Sequence, residues 1–359
     1  MHATEQHPPE PRASAKPRRR NRLGQRICSS PSANTSQNTT DRLRLRRGGR
    51  STTTLSDVTT LLDPPVVGQR DRIDPRSLAR DVDRGVRVRV KRGTHYNAVA
   101  WRALSDRQRH RIRIEAFAAS HPGLVFSHYS AAVLHGIPFI GHVPDLVHVV
   151  ADRANGGRSE PGLVRHCLGI IPAELTEVGF LRAETPLRTV SGLSRLQPFR
   201  RAVAPADHLL RTTPIEALWA GLELANFGHG FAQARRVIGF ANGLAANPGE
   251  SLSRAVIHEL GFPAPMLQVE HLTALGHRYL TDFEWPGWRL AGEFDGRGKY
   301  LKPEYLGRMT PGEAVVKEKR REDKLRAQGL NFARWDWTDA LSGHLLRGIL
   351  LTAGLPRRS

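Results

Sequence analysis

The chain has 359 residues, a net charge of +20, 39% hydrophobic residues and two cysteines, Cys28 and Cys167. That length suits about two domains with cores of their own, and two cysteines exclude a disulfide scaffold, a cysteine-rich zinc module and an iron–sulfur protein. No run approaches 18 apolar residues, which excludes a transmembrane helix, and so basic a chain points to a polyanionic partner, most often nucleic acid.

Residues 1–50 hold 12 Arg or Lys against 3 Asp or Glu. Ser, Thr, Asn, Pro and Arg dominate residues 1–65, and apolar periodicity is almost absent. Such a segment cannot repay its ordering entropy and is expected to be a disordered basic tail. It is either a nucleic-acid-binding arm or the product of a start codon placed upstream of a true start near Val58 or Val66. No apolar stretch follows Arg18-Arg19-Arg20, so no secretory or twin-arginine signal is expected. The protein is placed in the cytoplasm, on the nucleoid if it binds DNA.

Residues 70–244 are expected to form a mixed α/β region with a winged-helix-like start. Asp74-Pro75 opens a helix with proline at its first position, and Gly85 ends it. Val86, Val88 and Val90 then alternate with Arg87, Arg89 and Lys91, a strand with one basic face. Arg92-Gly93 is a turn, and Thr94-His95-Tyr96 returns. A helix followed by a basic hairpin suggests a wing lying along phosphates, with Arg87, Arg89, Lys91 and Arg92 in contact; an ordinary amphipathic edge hairpin reads the same way. Ser105 with Gln108 forms a capping box for a helix through Ala119. Ser127 begins a short helix that Gly136 ends. Residues 146–150 and 163–166 read as strands, and Thr185-Pro186 opens another helix. His128, His135, His148 and His166 match no metal-ligand spacing and read as core or surface histidines.

Residues 245–355 carry the chemistry. Asn247-Pro248-Gly249-Glu250 opens a helix with a carboxylate in its first turn, where the helix dipole favours one. Leu267–His271 reads as a strand. Residues 279–285 and 288–295 then form a hairpin about a Pro286-Gly287 turn. This register pairs Asp282 with Ala291 and Leu280 with Glu293. Asp282, Glu284, Glu293 and Asp295 share one face, with Asp282 and Glu293 as diagonal neighbours. Their repulsion would be relieved by a divalent cation such as Mg²⁺, which prefers oxygen ligands. The alternative is a merely solvated acidic face. Thr310-Pro311-Gly312-Glu313 is another capping box, for a basic helix to about Gln328 that includes Lys317, Lys319, Arg320 and Arg321. A strand over residues 331–335 and a final helix over 338–353 complete the chain. Trp285, Trp288, Trp335 and Trp337 read as core rather than as a base-stacking platform.

Lysine is scarce, at 7 residues against 47 arginines, yet Lys299, Lys302, Lys317, Lys319 and Lys324 crowd into residues 299–324. A local demand for compact ammonium groups explains this, as does chance clustering on a solvated helix.

Residues 245–350 resemble the PD-(D/E)XK nuclease superfamily, in particular its very-short-patch-repair-like branch, common as a domain of unknown function in actinobacterial proteins. The resemblance rests on a helix with Glu250, then Asp282-Phe283, then Glu293-Phe294-Asp295-Gly296, a basic helix and a strand into Arg334-Trp335. It implies an α/β core with a central mixed sheet and phosphodiester hydrolysis with Mg²⁺ or Mn²⁺. Asp282 and Glu293 would hold the metal and Glu250 would assist. The family's usual lysine, two residues after the second acid, is Asp295 here. The resemblance leaves Lys299, Lys317 or Lys319 to supply that ammonium, or Asp295 to bind metal, or the site inactive. Residues 70–210, with Ser130-Ala131-Ala132-Val133-Leu134-His135-Gly136, resemble AbiEi-type antitoxins. That likeness implies a DNA-binding regulator with a toxin partner. Two functions are therefore expected: a DNA endonuclease, or an inactive antitoxin-like DNA-binding transcriptional regulator.

Overall fold

The structure is a computed structural model that describes residues 66–67, 74–151, 160–167, 169–224, 229–272, 276, 278–296, 310–327 and 329–358. The expected basic tail, Lys299 and Lys302 lie outside the described residues, as do the side chains of Lys317, Arg320 and Arg321. Every described residue belongs to one unit, Val58–Ser359. The fold is α+β, and the described residues form three sheets. Among them, no helix is long and apolar enough to cross a membrane.

The first sheet has the order β1-β3-β2, with β1 (Val66–Val67), β2 (Arg87–Lys91) and β3 (Thr94–Asn97) antiparallel. Helix α1 (Pro75–Asp83) precedes the hairpin, and the Asp74 side chain accepts from the Arg76 amide at its start. Helices α2 (Ala98–Ala103) and α3 (Asp106–Ser120) follow it. Ser105 and Gln108 make the reciprocal bonds of the expected capping box. Tyr96, Leu104 and Ile112 form a small core here, with Val90 packed against it.

The second sheet has the order β6-β5-β4-β8-β7. Its strands are β4 (Val125–Phe126), β5 (Val147–Val150), β6 (Leu163–His166), β7 (Leu175–Val178) and β8 (Leu181–Glu184). Helix α4 (His128–Leu134) follows β4. Sequence periodicity finds β5 and β6 but not the other three. β4 is two residues long and is held between β5 and β8, so its conformation is set by neighbours distant in sequence. A helical layer follows: α5 (Pro186–Leu196), α6 (Phe199–Leu210), α7 (Ile215–Leu224) and α8 (Phe231–Phe240). Val190, Leu193, Val203, Leu222 and Val237 are its core.

The third sheet has the order β12-β11-β10-β9. In chain order come helix α9 (Pro248–Glu259), β9 (Met266–Leu272), β10 (Arg278–Trp285), β11 (Leu290–Phe294), helix α10 (Pro311–Ala327) and β12 (Asn331–Trp335). β9, β10 and β11 are antiparallel, and β12 runs parallel to β11. The expected last helix is instead two, α11 (Trp337–Ser342) and α12 (His344–Thr352), because Gly343 adopts φ 65° between them. Trp285 and Trp335 lie in the core with Leu252, Val256, Phe283 and Phe294, and Trp337 packs against it. Trp288 does not join them; it sits on the hairpin turn, 43% exposed.

Helix α9 is fixed from two sides. The Arg254 guanidinium is buried against the Asp207 carboxylate of α6, at 2.7 and 2.9 Å, and also donates to the Phe240 carbonyl. On the sheet side, Trp335 Nε1 donates to Ser253 Oγ at 2.7 Å. Gly249 admits the close approach of Phe294, since a Cβ there would sit 2.0 Å from its ring.

Candidate active site

Glu250, Asp282 and Glu293 are all buried, at 2%, 8% and 5% exposure. Burial of three carboxylates is costly unless they are hydrogen-bonded or meet a cation. Asn247 caps α9 by accepting from the amides of Gly249 and Glu250, which fixes Glu250 in the first turn. The Glu250 carboxylate then accepts from the Ala246 amide at 2.7 Å, from Asn247 Nδ2, and from Gln268 Nε2 at 3.0 Å. The same Gln268 nitrogen reaches Asp282 Oδ1 at 3.5 Å. Asp282 Oδ2 accepts from the Phe294 amide of β11 at 2.9 Å, taking a place in the strand ladder.

The hairpin register differs from the expected one by two residues. Phe283 pairs with Gly292, Glu284 with Ala291 and Trp285 with Leu290. Continued one step, this register sets Asp282 directly across from Glu293 rather than diagonal to it, and side chains at opposed positions share a face. The cause is the connection. It is not a two-residue Pro-Gly turn but a 3₁₀ turn over Pro286–Trp288, closed by Arg289 in the left-handed conformation at φ 48°.

The other expected site residues fall as follows. Glu284 bonds His271 Nε2 at 2.6 Å and accepts from Thr281 Oγ1. Asp295 pairs with Arg334 of β12, whose guanidinium also holds Glu322 of α10 at 2.9 Å. Lys319 is exposed on α10. Among the described residues, no three His, Cys, Asp or Glu side chains are placed to hold a metal ion by themselves. Asp282 and Glu293 are the carboxylates that could hold Mg²⁺, an ion commonly bound by one or two carboxylates with water and substrate phosphates filling the remaining positions. Sequence reasoning missed Gln268. Its one signal is structural: φ 49° within a strand, a conformation that favours glycine.

On the wing, Arg89 and Arg92 are exposed. Arg87 pairs with Asp81 at 3.4 Å. Lys91 is turned inward, bonded to Ser120 and over the Phe117 ring, and burial lowers its pKa. The expected single basic face is thus split. A bulge between Arg89 and Lys91 breaks the alternation and sends Lys91 toward α3.

The histidines gather around the second sheet. His128 and His166 stack with ring centroids 3.8 Å apart, and His148 Nδ1 lies 2.9 Å from His166 Nε2. His110 bridges the Pro144 carbonyl and Ser130 Oγ. Burial lowers the pKa of His110 to about 4 and, with help from His166, that of His148 to about 3. Below the ordinary value of 6.5 the unfolded chain takes up these protons and the folded one does not. Stability from these groups is therefore complete above pH 6.5 and lost as pH falls toward 3. His110 alone accounts for roughly 3 kcal/mol of this. Glu184 opposes part of it: burial raises its pKa to about 7, so its contribution falls as pH rises from 4.5 to 7. The melting temperature should drop between pH 6.5 and 4, and less steeply in His110→Asn. Equal slopes in thermal unfolding at several pH values would remove His110 from the account.

No protein-family model matches the chain. Two uncharacterised proteins of Mycobacterium tuberculosis, MT2308 of strain CDC 1551 and Rv2248 of strain H37Rv, are each 32% identical to it over 128 residues, 32% of this chain and 47% of theirs. The chain thus spans about half the length of the curated relatives it matches. A crystal structure of the Rv2827c protein from Mycobacterium tuberculosis aligns with a TM-score of 0.32 and 18% identity, over 50% of this chain and 69% of that one.

Proposed function

We propose that this is a cytoplasmic DNA-binding protein whose α9-to-β12 region hydrolyses phosphodiester bonds with Mg²⁺ or Mn²⁺. The observation that carries the reading is the convergence of Glu250 and Asp282 on one amide nitrogen, with Glu293 in register across from Asp282. The helix–three strands–helix–strand order supports it, because it is the mixed-sheet core that the PD-(D/E)XK resemblance implies. Asp282 and Glu293 would hold the metal. When bound, it would supply Lewis-acid polarisation of the phosphate and a more acidic water. Glu250, held by the α9 cap, keeps its carboxylate beside Asp282. The exposed Arg89 and Arg92 would contact the DNA backbone, on a hairpin preceded by a helix and flanked by a third strand, as a wing would be.

Asp295 favours a second reading, a regulator without catalysis that contacts DNA and a toxin partner. It stands where the family's lysine is expected, and it is paired with Arg334.

Thermal unfolding with Mn²⁺ or Mg²⁺ tests the metal site. A ligand that binds only the folded state, at a hundred times its Kd, adds about 2.7 kcal/mol. Wild type should gain such a shift, and the Asp282→Ala, Glu293→Ala double variant should lose it. No shift at millimolar metal favours the regulator. Arg89→Ala should weaken duplex binding and lower the salt slope by about one, with no change in melting temperature. Unchanged affinity would take the wing out of the interface.

A further inference from the structure

We infer that Gln268 is the positioning residue of the carboxylate site, standing in for the cation while none is bound. The inference rests on the metal reading given above. Three observations support it. β9 and β10 pair Thr281 with Val269 and Phe283 with Leu267, so Gln268 lies opposite Asp282. At that one position of β9 the backbone turns to φ 49°. Strain of this kind in a non-glycine residue persists only where the surroundings hold it, and it gathers at functional sites. The Gln268 amide nitrogen then lies between two buried carboxylates, 3.0 Å from Glu250 and 3.5 Å from Asp282.

A carboxamide nitrogen has two hydrogens. One is directed to each carboxylate, so a neutral group offsets the repulsion between Glu250 and Asp282, the carboxylate that would share a divalent cation with Glu293. Lysine or arginine at this position would also neutralise them, but would hold a full positive charge against an entering Mg²⁺. The amide is displaced without separating charge, and its terminal torsion is soft. Gln268 therefore keeps Glu250 and Asp282 in place and yields to an entering cation at a modest cost in affinity.

Amide and cation do the same electrostatic work, so each should matter more when the other is missing. The test is thermal unfolding and calorimetric titration with MnCl₂ on wild type, Gln268→Leu and Gln268→Gly. The leucine variant removes the amide. The glycine variant removes it and also releases the backbone, since glycine adopts this φ freely, which guards against a variant that does not fold. Both should show a larger Mn²⁺-induced rise in melting temperature than wild type and a Mn²⁺ midpoint about tenfold lower. Combining either with Asp282→Asn should abolish the rise. Equal Mn²⁺ responses in wild type and both variants overturn the role of Gln268 and leave the metal site standing. No response in any of the three overturns the metal site, and the role of Gln268 with it.

Discussion

Asp207→Ala is expected to lower the free energy of unfolding by about 3–5 kcal/mol, because it strands the Arg254 guanidinium without its buried partner. Both side chains are almost fully covered, Asp207 at 1% and Arg254 at 7% exposure. The carboxylate also accepts from the Asn242 amide at 2.7 Å, so alanine orphans a backbone donor as well. The effect should reach the site through α9. Arg254 and Glu250 lie one turn apart on that helix, and a loosened α9 no longer delivers the Glu250 carboxylate to Gln268. Denaturant titration checks the first effect, and loss of Mn²⁺-induced stabilisation checks the second. A double replacement, Asp207→Leu with Arg254→Met, should recover much of the stability, because apolar residues of similar volume can replace a buried pair at little net cost. A loss below 1 kcal/mol in Asp207→Ala would mean that water reaches the pair.

Asp282→Asn is expected to reduce metal-dependent phosphodiester cleavage at least about a thousandfold, the equivalent of roughly 4 kcal/mol in the barrier. The asparagine keeps an acceptor for the Phe294 amide and removes one of the charges crowded there. It gives up the weak 3.5 Å bond from Gln268, so the metal-free protein should stay within about 1 kcal/mol of wild type. This pairing of lost activity with retained stability separates a metal ligand from a structural carboxylate. Cleavage that survives, measured on single- and double-stranded substrates with Mn²⁺, would place the chemistry elsewhere.

Most of the helix starts legible in the sequence have a side-chain cap, although Ser127 marks a legible start without making a cap bond and sequence reasoning missed the Asn97 cap of α2. Ser105 with Gln108, Thr185-Pro186, Asn247-Pro248 and Thr310 with Glu313 each name a first turn in local chemistry. Strands were legible where the pattern was long enough, as in β2, β5 and β10. β4 was not, because two residues carry no period and its partners β5 and β8 lie further along the chain. β7 and β8 were not, although they pair with each other across a short turn, because Leu175–Val178 does not alternate apolar and polar residues and Leu181–Glu184 does so over four residues only. The three carboxylates of the site were legible as residue types in order. Their alignment was not, because the hairpin register depends on Arg289 taking a left-handed turn. Gln268 was invisible for the same reason: nothing in Leu-Gln-Val announces a positive φ. His148 and His166 meet because parallel β5 and β6 set them diagonally, His148 opposite Val164 and His166 opposite Val150, and α4 then lays His128 on His166; both are tertiary facts with no local trace.

The bend at Gln268 also bears on how the protein avoids sticking to itself. Among the described residues β9 is the outer strand of its sheet, and Met266 and Leu272 are exposed along it. A straight, apolar outer strand offers its free amides and carbonyls to any other chain that arrives extended, which is how sheets grow between molecules. A left-handed residue midway along β9 interrupts that row. A visiting strand could match one half or the other, but not both in a single register. Restoring regular geometry at this position would straighten the rim of the sheet and favour association between copies.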